Sequence, residues 1–325
     1  MDTAEHHIPF GPIPSRRLGW SLGINNIPAK ACSYTCLYCQ VGPTTRKIIE
    51  PQAFFTPAQI LEAVTAQVDT VHRSGSVIDY LSFVPDGEPT LDLHLGESIH
   101  TLKPLGIPIA VITNATLLWR EEVRARLAEA DLVSVKVDSV IDAVWQRINL
   151  PHRDLRLPMI LDGIRRFAQD YGGTLISDTM LVAGVNDGPD SLTATAEFLA
   201  EIAPRTAYLA VPTRPTTVHD LQAPDEAALV RAHEIFAAHL AQVEMLLGQE
   251  SEPFAHTGDA RADVLSITAV HPMREPALRR LLRDNEAGWE IVEALLAEGS
   301  LKVVEHAGER FYLRPVRRRH PAASG

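Results

Sequence analysis

The chain has 325 residues and a formal net charge of −11, with 30 lysines and arginines against 41 acids. That length buries one large core, or a core with a small appendage, and the acid excess argues against a general nucleic-acid binder. No apolar run is long enough to cross a bilayer, and the first residues carry acids and histidines where a secretory leader would carry lysine, so a cytoplasmic protein without a membrane partner is expected.

In chain order, short β-branched runs at 21–27, 78–84, 107–113, 132–137, 174–182 and 206–211 alternate with amphipathic stretches at 57–72, 93–102, 120–130, 155–170, 189–202 and 225–247. The alternation predicts βα units around a parallel sheet. Pro57 and Pro189 are placed to open their helices at the first position. Six such units predict an α/β fold, a partial (β/α)6 TIM-type barrel over 1–250, with functional groups at the C-terminal ends of the strands. Beyond 251 the pattern changes to a strand at 263–269, helices at 274–283 and 289–298, and a hairpin of 301–305 and 310–313 around His306-Ala-Gly-Glu309. Two helices before a hairpin predict a small winged-helix-like module over 251–325. From Gly258 onward there are eleven basic and ten acidic side chains, a net +1 that leaves −12 on the rest.

All three cysteines fall in one run, Ala31-Cys-Ser-Tyr-Thr-Cys-Leu-Tyr-Cys-Gln40. Three soft thiolates can hold three irons of a [4Fe–4S] cube and leave the fourth iron open to a small chelating molecule. Disulfides suit an odd number poorly, and an oxidising compartment is not expected. A structural zinc site needs a fourth ligand and usually two spaced pairs; one of the thirteen histidines would have to complete a Cys3His set.

The C-x3-C-x2-C spacing of Cys32, Cys36 and Cys39, with Tyr38 before the last, resembles the signature of the radical S-adenosylmethionine (radical SAM) enzymes. Gly11-Pro-Ile-Pro-Ser-Arg-Arg-Leu-Gly-Trp-Ser-Leu-Gly23, Phe83-Val-Pro-Asp-Gly-Glu-Pro-Thr90, Leu209-Ala-Val-Pro-Thr-Arg214 and the C-terminal module resemble, in this order, a subfamily related to the wyosine-synthesis enzymes that modify tRNA. The resemblance implies a [4Fe–4S] cluster on the three cysteines, S-adenosyl-L-methionine (SAM) on its open iron, an external electron donor of flavodoxin or ferredoxin type, and a 5′-deoxyadenosyl radical that abstracts hydrogen from a substrate. Some members of the superfamily cleave a different C–S bond of SAM. Wyosine synthesis itself is not expected, because archaeal enzymes of that kind carry further cysteines for a second cluster and their eukaryotic relatives a flavodoxin-like domain. Small molecule, peptide and RNA base are all open as substrates.

The resemblance also assigns roles residue by residue. Gly87-Glu88-Pro89 matches a Gly-Gly-Glu-Pro motif whose carbonyl and carboxylate meet the methionyl ammonium, with Asp86 departing from its first glycine. The physical need is for acceptors, and a bend made by Gly87 and Pro89 aims them; a plain surface turn is the alternative. Asn114 stands where the family places a polar group near the ribose or sulfonium. Val185 and Asn186 match the adenine-side loop, and Tyr38 is expected near the adenine. Ser134, Lys136 and Asp138 share one strand face, so a buried Lys136 must meet either Asp138 or an anion such as the methionyl carboxylate. Arg16, Arg17 and Arg214 carry the forks that grip carboxylate or phosphate, and His152 is a proton-donor candidate for the substrate. A second class of function is an iron–sulfur redox sensor that binds DNA through the winged helix. Its reader helix would carry Glu290, Glu293 and Glu298, which repel phosphates, and Arg314-Pro-Val-Arg-Arg-Arg319 is the only basic cluster.

Overall fold

The structure is a computed structural model that describes residues 8–218, 221–247, 254, 257–306 and 308–315. The expected domain boundary near 250 and the basic run after Pro315 lie outside the described residues.

The chain begins with β1 (Pro9–Ser15) and β2 (Gly19–Ile24), then two short strands, β3 (Ala31–Cys32) and β4 (Arg46–Lys47), and the helix α1 (Pro57–Arg73). There follow β5 (Tyr80–Phe83), α2 (Leu95–Leu102), β6 (Ile109–Thr113), α3 (Glu121–Leu127), β7 (Leu132–Lys136), α4 (Asp142–Asn149) and α5 (Leu157–Asp170). The barrel closes with β8 (Thr174–Met180), α6 (Pro189–Ile202), β9 (Ala207–Ala210), α7 (Glu226–His239) and β10 (Val243–Leu246). Eight strands form one curled sheet in the order β1-β2-β5-β6-β7-β8-β9-β10, parallel throughout except for β1. This is the expected α/β partial TIM-type barrel, its six predicted strands flanked by one more on each side.

The sequence made the two flanking strands hard to see. β1 reads Pro-Phe-Gly-Pro-Ile-Pro-Ser, and three prolines are tolerated only because it is an edge with an irregular register between Phe10 and Ile13. At that irregularity Gly11 takes a φ of 88°, which a side chain would resist. The stretch 225–247 is not one helix: Phe236 packs inward, the helix stops at His239, and Val243–Leu246 pairs with β9.

Each strand divides its side chains between two layers, as a period of two demands. Leu81, Phe83, Val111, Val133 and Val135 face the helices in the larger apolar cluster. Ala110, Leu132, Ile176, Met180, Tyr208 and Ala210 form a second cluster on the concave side with Tyr38. Helix α1 is started by Thr56, whose hydroxyl accepts from Gln59 N–H at 3.2 Å while the Gln59 amide oxygen accepts from Thr56 N–H at 2.9 Å.

After the barrel come α8 (Ala260–Val270), β11 (Met273–Arg274), α9 (Glu275–Asp284), α10 (Glu290–Ala297), β12 (Lys302–His306) and β13 (Glu309–Leu313). The three strands pair in the order β11-β13-β12. The predicted strand at 263–269 is a helix. Its β-branched residues mislead a local reading, but Ala260, Val264 and Ile267 recur at helical spacing and are buried. Asp259 caps this helix, its carboxylate accepting from Ala262 N–H at 3.0 Å. These residues pack with Phe10 and Ile13 of β1 and with Leu278, Leu282, Val292 and Leu295 in one apolar cluster. The C-terminal unit is therefore joined to the barrel through a shared core.

Candidate active site

The cysteine loop leaves the C-terminal end of β2 and is held from three sides. Its own ends meet where β3 pairs with β4, and Ile48 N–H donates to Cys32 O at 3.0 Å. The end of α4 provides carbonyls: Thr35 N–H reaches Asn149 O at 3.0 Å and Leu37 N–H reaches Ile148 O at 3.0 Å. The segment after β9 closes the third side, with Thr217 donating to Cys39 O from N–H at 2.9 Å and from its hydroxyl at 3.0 Å. Inside, the Trp145 indole N–H donates to the Tyr34 hydroxyl at 2.6 Å. Ten loop positions thus acquire a fixed course without a helix or a long strand.

All three thiols are free and half-buried. Burial, with Asp138 nearby, pushes the Cys36 thiol up to about 12, and burial and Glu88 push Cys32 higher still. Metal binding would have to displace the protons that burial holds on these thiols. Two of the sulfurs face amide donors: Asn114 Nδ2 lies 3.6 Å from Cys32 Sγ and Asn149 Nδ2 lies 3.4 Å from Cys36 Sγ. Among the described residues no three His, Cys, Asp or Glu side chains close on a single ion. A cubane asks less of them, since each thiolate takes its own iron. The donor set fits the cluster.

Gly87-Glu88-Pro89 is pressed against this loop. A Cβ on Gly87 would lie 1.9 Å from Ala31 O, so the position admits only glycine. Glu88 N–H donates to the same carbonyl at 3.1 Å. The Glu88 carboxylate is buried, and Oε1 accepts from Thr90 N–H at 3.1 Å and from the Thr90 and Thr113 hydroxyls at 2.6 Å each. Its Oε2 accepts from Asn114 N–H at 2.8 Å. Burial raises the Glu88 pKa against the pull of these donors. Most of the carboxylate's capacity thus goes to joining the end of β5 to the end of β6. Thr90 and Thr113 were not singled out from sequence, although both sit within one residue of motifs that were.

The parallel register of β7 and β8 sets Lys136 beside Asp178. Lys136 Nζ donates to Asp178 Oδ1 at 2.5 Å and stands 3.9 Å from Asp138 Oδ1. Arg17 takes the other Asp178 oxygen. Burial opposes the charge of Asp178, but Lys136 and Arg17 outweigh it and hold the carboxyl below its usual range. Asp178 is the main residue that the sequence reading missed; an acid inside a buried strand, opposite a lysine, is the available signal. Asp138 serves a different purpose. It accepts from the Tyr38 hydroxyl, from Asn149 Nδ2 at 2.6 Å and from Met180 N–H at 2.9 Å. Lys136 also lies 5.1 Å over the Tyr38 ring. One contiguous polar chain therefore runs from Cys36 through Asn149 and Asp138 toward Lys136, Asp178 and Arg17.

The other expected residues are more dispersed. Asn186 accepts from Val182 N–H at 2.8 Å and donates to Asp138 O and Met180 O at 2.8 Å each, so its side chain ties β7 to β8. Val185 N–H donates to Val182 O at 3.1 Å in the same turn. Arg16 reaches across the open side of the barrel to Leu246 O at 3.4 Å. Arg214 donates to Gln40 Oε1 at 3.0 Å, next to Cys39. His152 turns aside: its Nδ1 accepts from Asp154 N–H at 3.3 Å and lies 3.6 Å from the Asp154 carboxylate.

Comparison with known proteins agrees with this geometry. Residues 26–199, more than half of the chain, match the model of the radical SAM superfamily. UPF0026 protein MJ1312 of Methanocaldococcus jannaschii is 42% identical over 314 residues, covering 96% of this chain and 97% of that one. UPF0026 protein slr1464 of Synechocystis is 38% identical over 212 residues, 63% of this chain and 76% of its own. Among solved structures, a radical SAM methyltransferase from Sphaerobacter thermophilus shares the fold with a TM-score of 0.53 at 17% identity, covering 71% of this chain and 67% of that one. With its three clasped cysteines and partial barrel, this chain belongs to the radical SAM superfamily, as an enzyme whose near relatives are the UPF0026 proteins.

Proposed function

We propose that Cys32, Cys36 and Cys39 hold one [4Fe–4S] cluster and that the chain uses it to cleave SAM reductively. When bound, the cluster and SAM supply a single electron, taken from a flavodoxin- or ferredoxin-type donor, and a 5′-deoxyadenosyl radical for hydrogen abstraction. The protein's own part is to position, to tune and to exclude water. Asn114 and Asn149 direct amide N–H groups at two of the sulfurs. Glu88 keeps one lone-pair side of Oε2 for the methionyl ammonium, and the Gly87–Pro89 turn sets the carbonyls beside it. Lys136 is available to the methionyl carboxylate, and Tyr38, Val185 and Asn186 shape the adenine side. Arg16, Arg17 and Arg214 are the substrate candidates through donors beyond those that meet Leu246 O, Asp178 and Gln40, and His152 would have to turn away from Asp154 to join them. The observation that carries this reading is the isolated cysteine triplet on a loop whose backbone is bonded on three sides.

The C-terminal unit we read as a winged-helix-like cover that serves the barrel. Its helix α10 exposes Glu290 and Glu293, with Glu298 just beyond, a face that repels nucleic-acid phosphates. Its apolar side is committed to β1.

The test is anaerobic reconstitution with iron, sulfide, SAM and dithionite, followed by mass analysis of the nucleoside product. Wild type is expected to form 5′-deoxyadenosine and methionine, and replacing any one of the three cysteines by alanine should abolish the visible chromophore. One zinc per chain without a chromophore would overturn the cluster. Binding of a defined DNA duplex at physiological salt, with an affinity that changes on cluster oxidation, would favour the redox-sensor reading.

A further inference from the structure

Two buried charged atoms beside the cysteine loop lack a hydrogen-bond partner. Lys30, two residues before Cys32, is 5% exposed, and its Nζ bonds to nothing among the described residues. Asp86 has a buried Oδ1 in the same condition, and its carbonyl accepts Lys30 N–H at 2.8 Å. This is the aspartate that stands where the related motif has glycine. From the C-terminal unit, Lys302 lies within the electrostatic reach of Lys30, and Arg314 within that of Asp86. Among the described residues the salt bridges of the C-terminal unit involve Arg261, Arg274, Arg279, Arg280 and Arg310, and not Lys302 or Arg314.

Lys302 and Arg314 line a half-open cavity of about 390 Å³ between the cysteine loop, the segment after β9 and the C-terminal unit. No aspartate or glutamate lines it among the described residues, in a chain whose net charge is −11. Val41, Val304 and Leu313 give the lining apolar side chains, and Thr217 also lines it. Both donors of Thr217 are spent on Cys39 O, so a molecule resting there abuts the turn that carries the third cysteine. Two cations that form no salt bridge among the described residues, with the buried Asp86 the carboxylate that Arg314 feels, stand next to apolar side chains and suit an anionic head on a hydrocarbon or ring body. An arginine fork grips an oxyanion with two parallel hydrogen bonds, and a lysine adds a point charge.

We propose that this cavity is a substrate subsite for an oxyanion, phosphate or carboxylate, carried on an apolar body. The proposal rests on reading the chain as a radical SAM enzyme whose substrate approaches the cysteine loop. It gives the C-terminal unit a recognition role, since both cations that line the cavity come from that unit.

Binding of inorganic phosphate and of hexanoate to the cluster-loaded full chain, measured by calorimetry against chloride at matched ionic strength, tests it. Saturable binding of either anion is expected. Phosphate alone would identify a phosphate-bearing substrate, and hexanoate alone a carboxylate-bearing one. The Lys302→Ala/Arg314→Ala double variant should weaken binding by about tenfold or more, the loss of charge-assisted contacts. Ala269→Phe, which fills the cavity without touching a charge, should weaken hexanoate more than phosphate, and it decides the matter should the double variant not fold. Failure of both anions to saturate, or equal binding by wild type and folded variants, overturns the subsite. Wild-type SAM cleavage with dithionite is scored separately. Cleavage without anion binding removes only the subsite, whereas anion binding without cleavage removes the enzymatic reading and leaves a ligand site.

Discussion

The cysteine loop and the C-terminal unit lie on adjoining flanks of one barrel, yet opposite forces hold them. The loop is fixed chiefly by directional hydrogen bonds from β4, α4 and the post-β9 segment, with Tyr34 and Tyr38 as its buried ring anchors. The C-terminal unit is fixed by an apolar cluster that takes in Phe10 and Ile13 from the barrel's edge strand. Hydrogen bonds set positions to within fractions of an ångström, which a metal cluster requires, whereas apolar burial sets strength and tolerates shape. The barrel thus separates precision from adhesion, and substitutions on the two flanks should fail in different ways.

The largest effect is expected on the apolar side. Phe10 is 4% exposed, and its ring lies where a Cβ on Gly23 would stand, at 2.0 Å. Phe10→Ala should destabilise the protein by about 4 kcal/mol, the usual cost of emptying an aromatic site in a core. Because the ring belongs to the C-terminal cluster while its backbone belongs to the sheet, thermal unfolding should remain a single transition that moves down as a whole. Two separated transitions would show that the C-terminal unit folds independently and only rests on β1.

These two flanks also differ in how well the sequence disclosed them. The cysteines, the Gly87–Pro89 turn and Asn114 stood out because metal and ammonium chemistry demand particular residue types at particular spacings, and a short motif keeps them together. Asp178 and Asn149 are hard to see because their partners, Lys136 and Cys36, are 42 and 113 positions away, the first pair brought close by sheet register and the second by the docking of the cysteine loop on the end of α4. The six central strands were legible from β-branched runs. β1 was not, because an edge strand may carry prolines, and β10 was not, because Val243–Leu246 follows a helix closely enough to be read as its last turn. Helix α8 reads locally as a strand because its β-branched residues outweigh its spacing, an instance of packing overriding propensity.

On the polar side, Glu88→Ala should cost about 3 kcal/mol, since Thr90, Thr113 and Asn114 would lose their common acceptor in a buried setting. The cysteine loop should survive, because Glu88 holds it through its own N–H to Ala31 O. SAM affinity is expected to fall roughly tenfold to a hundredfold while the chromophore persists. Full affinity in a folded Glu88→Ala protein would leave the carboxylate as a brace between β5 and β6 and nothing more.

Beneath that turn, Asp92 is fully buried and accepts from His94 N–H at 2.9 Å and Asn26 Nδ2 at 3.1 Å. Burial outweighs these donors and raises its pKa from 3.8 to about 6. A raised carboxyl means that the folded state binds the proton more tightly than the unfolded one. Its contribution to stability is therefore complete below about pH 4 and is lost as pH rises to about 6. The loss is at most about 3 kcal/mol, at 1.36 kcal/mol per unit. Chemical denaturation across that window should show wild-type stability falling more steeply than that of Asp92→Asn. Parallel curves would mean that the buried carboxyl binds its proton no more tightly in the folded state than in the unfolded one.

The smallest effect sharpens the comparison most, because it needs no loss of fold. Asn149 places one amide within reach of Cys36 Sγ at 3.4 Å, the Tyr38 hydroxyl at 3.3 Å and Asp138 Oδ2 at 2.6 Å. The tight bond to Asp138 aims the amide, and what remains of its donor capacity falls on the sulfur. A donor toward a cluster sulfur favours the more negative, reduced state. Asn149→Leu keeps the side chain's shape and removes the donor, so the reduction potential of the reconstituted cluster should fall. One such bond, at about 1.4 kcal/mol, corresponds to about 60 mV for a one-electron couple. Asn114→Leu should lower the potential less, because its amide lies farther from sulfur, at 3.6 Å, and is also shared with Ser33 Oγ at 2.9 Å. Potentiometric titration followed by electron paramagnetic resonance reads both shifts. A purely structural part for Asn149 would broaden or bleach the cluster signal and leave the midpoint where it was. A clean downward shift with intact iron content would instead show that the polar flank sets the potential at which the cluster accepts its electron.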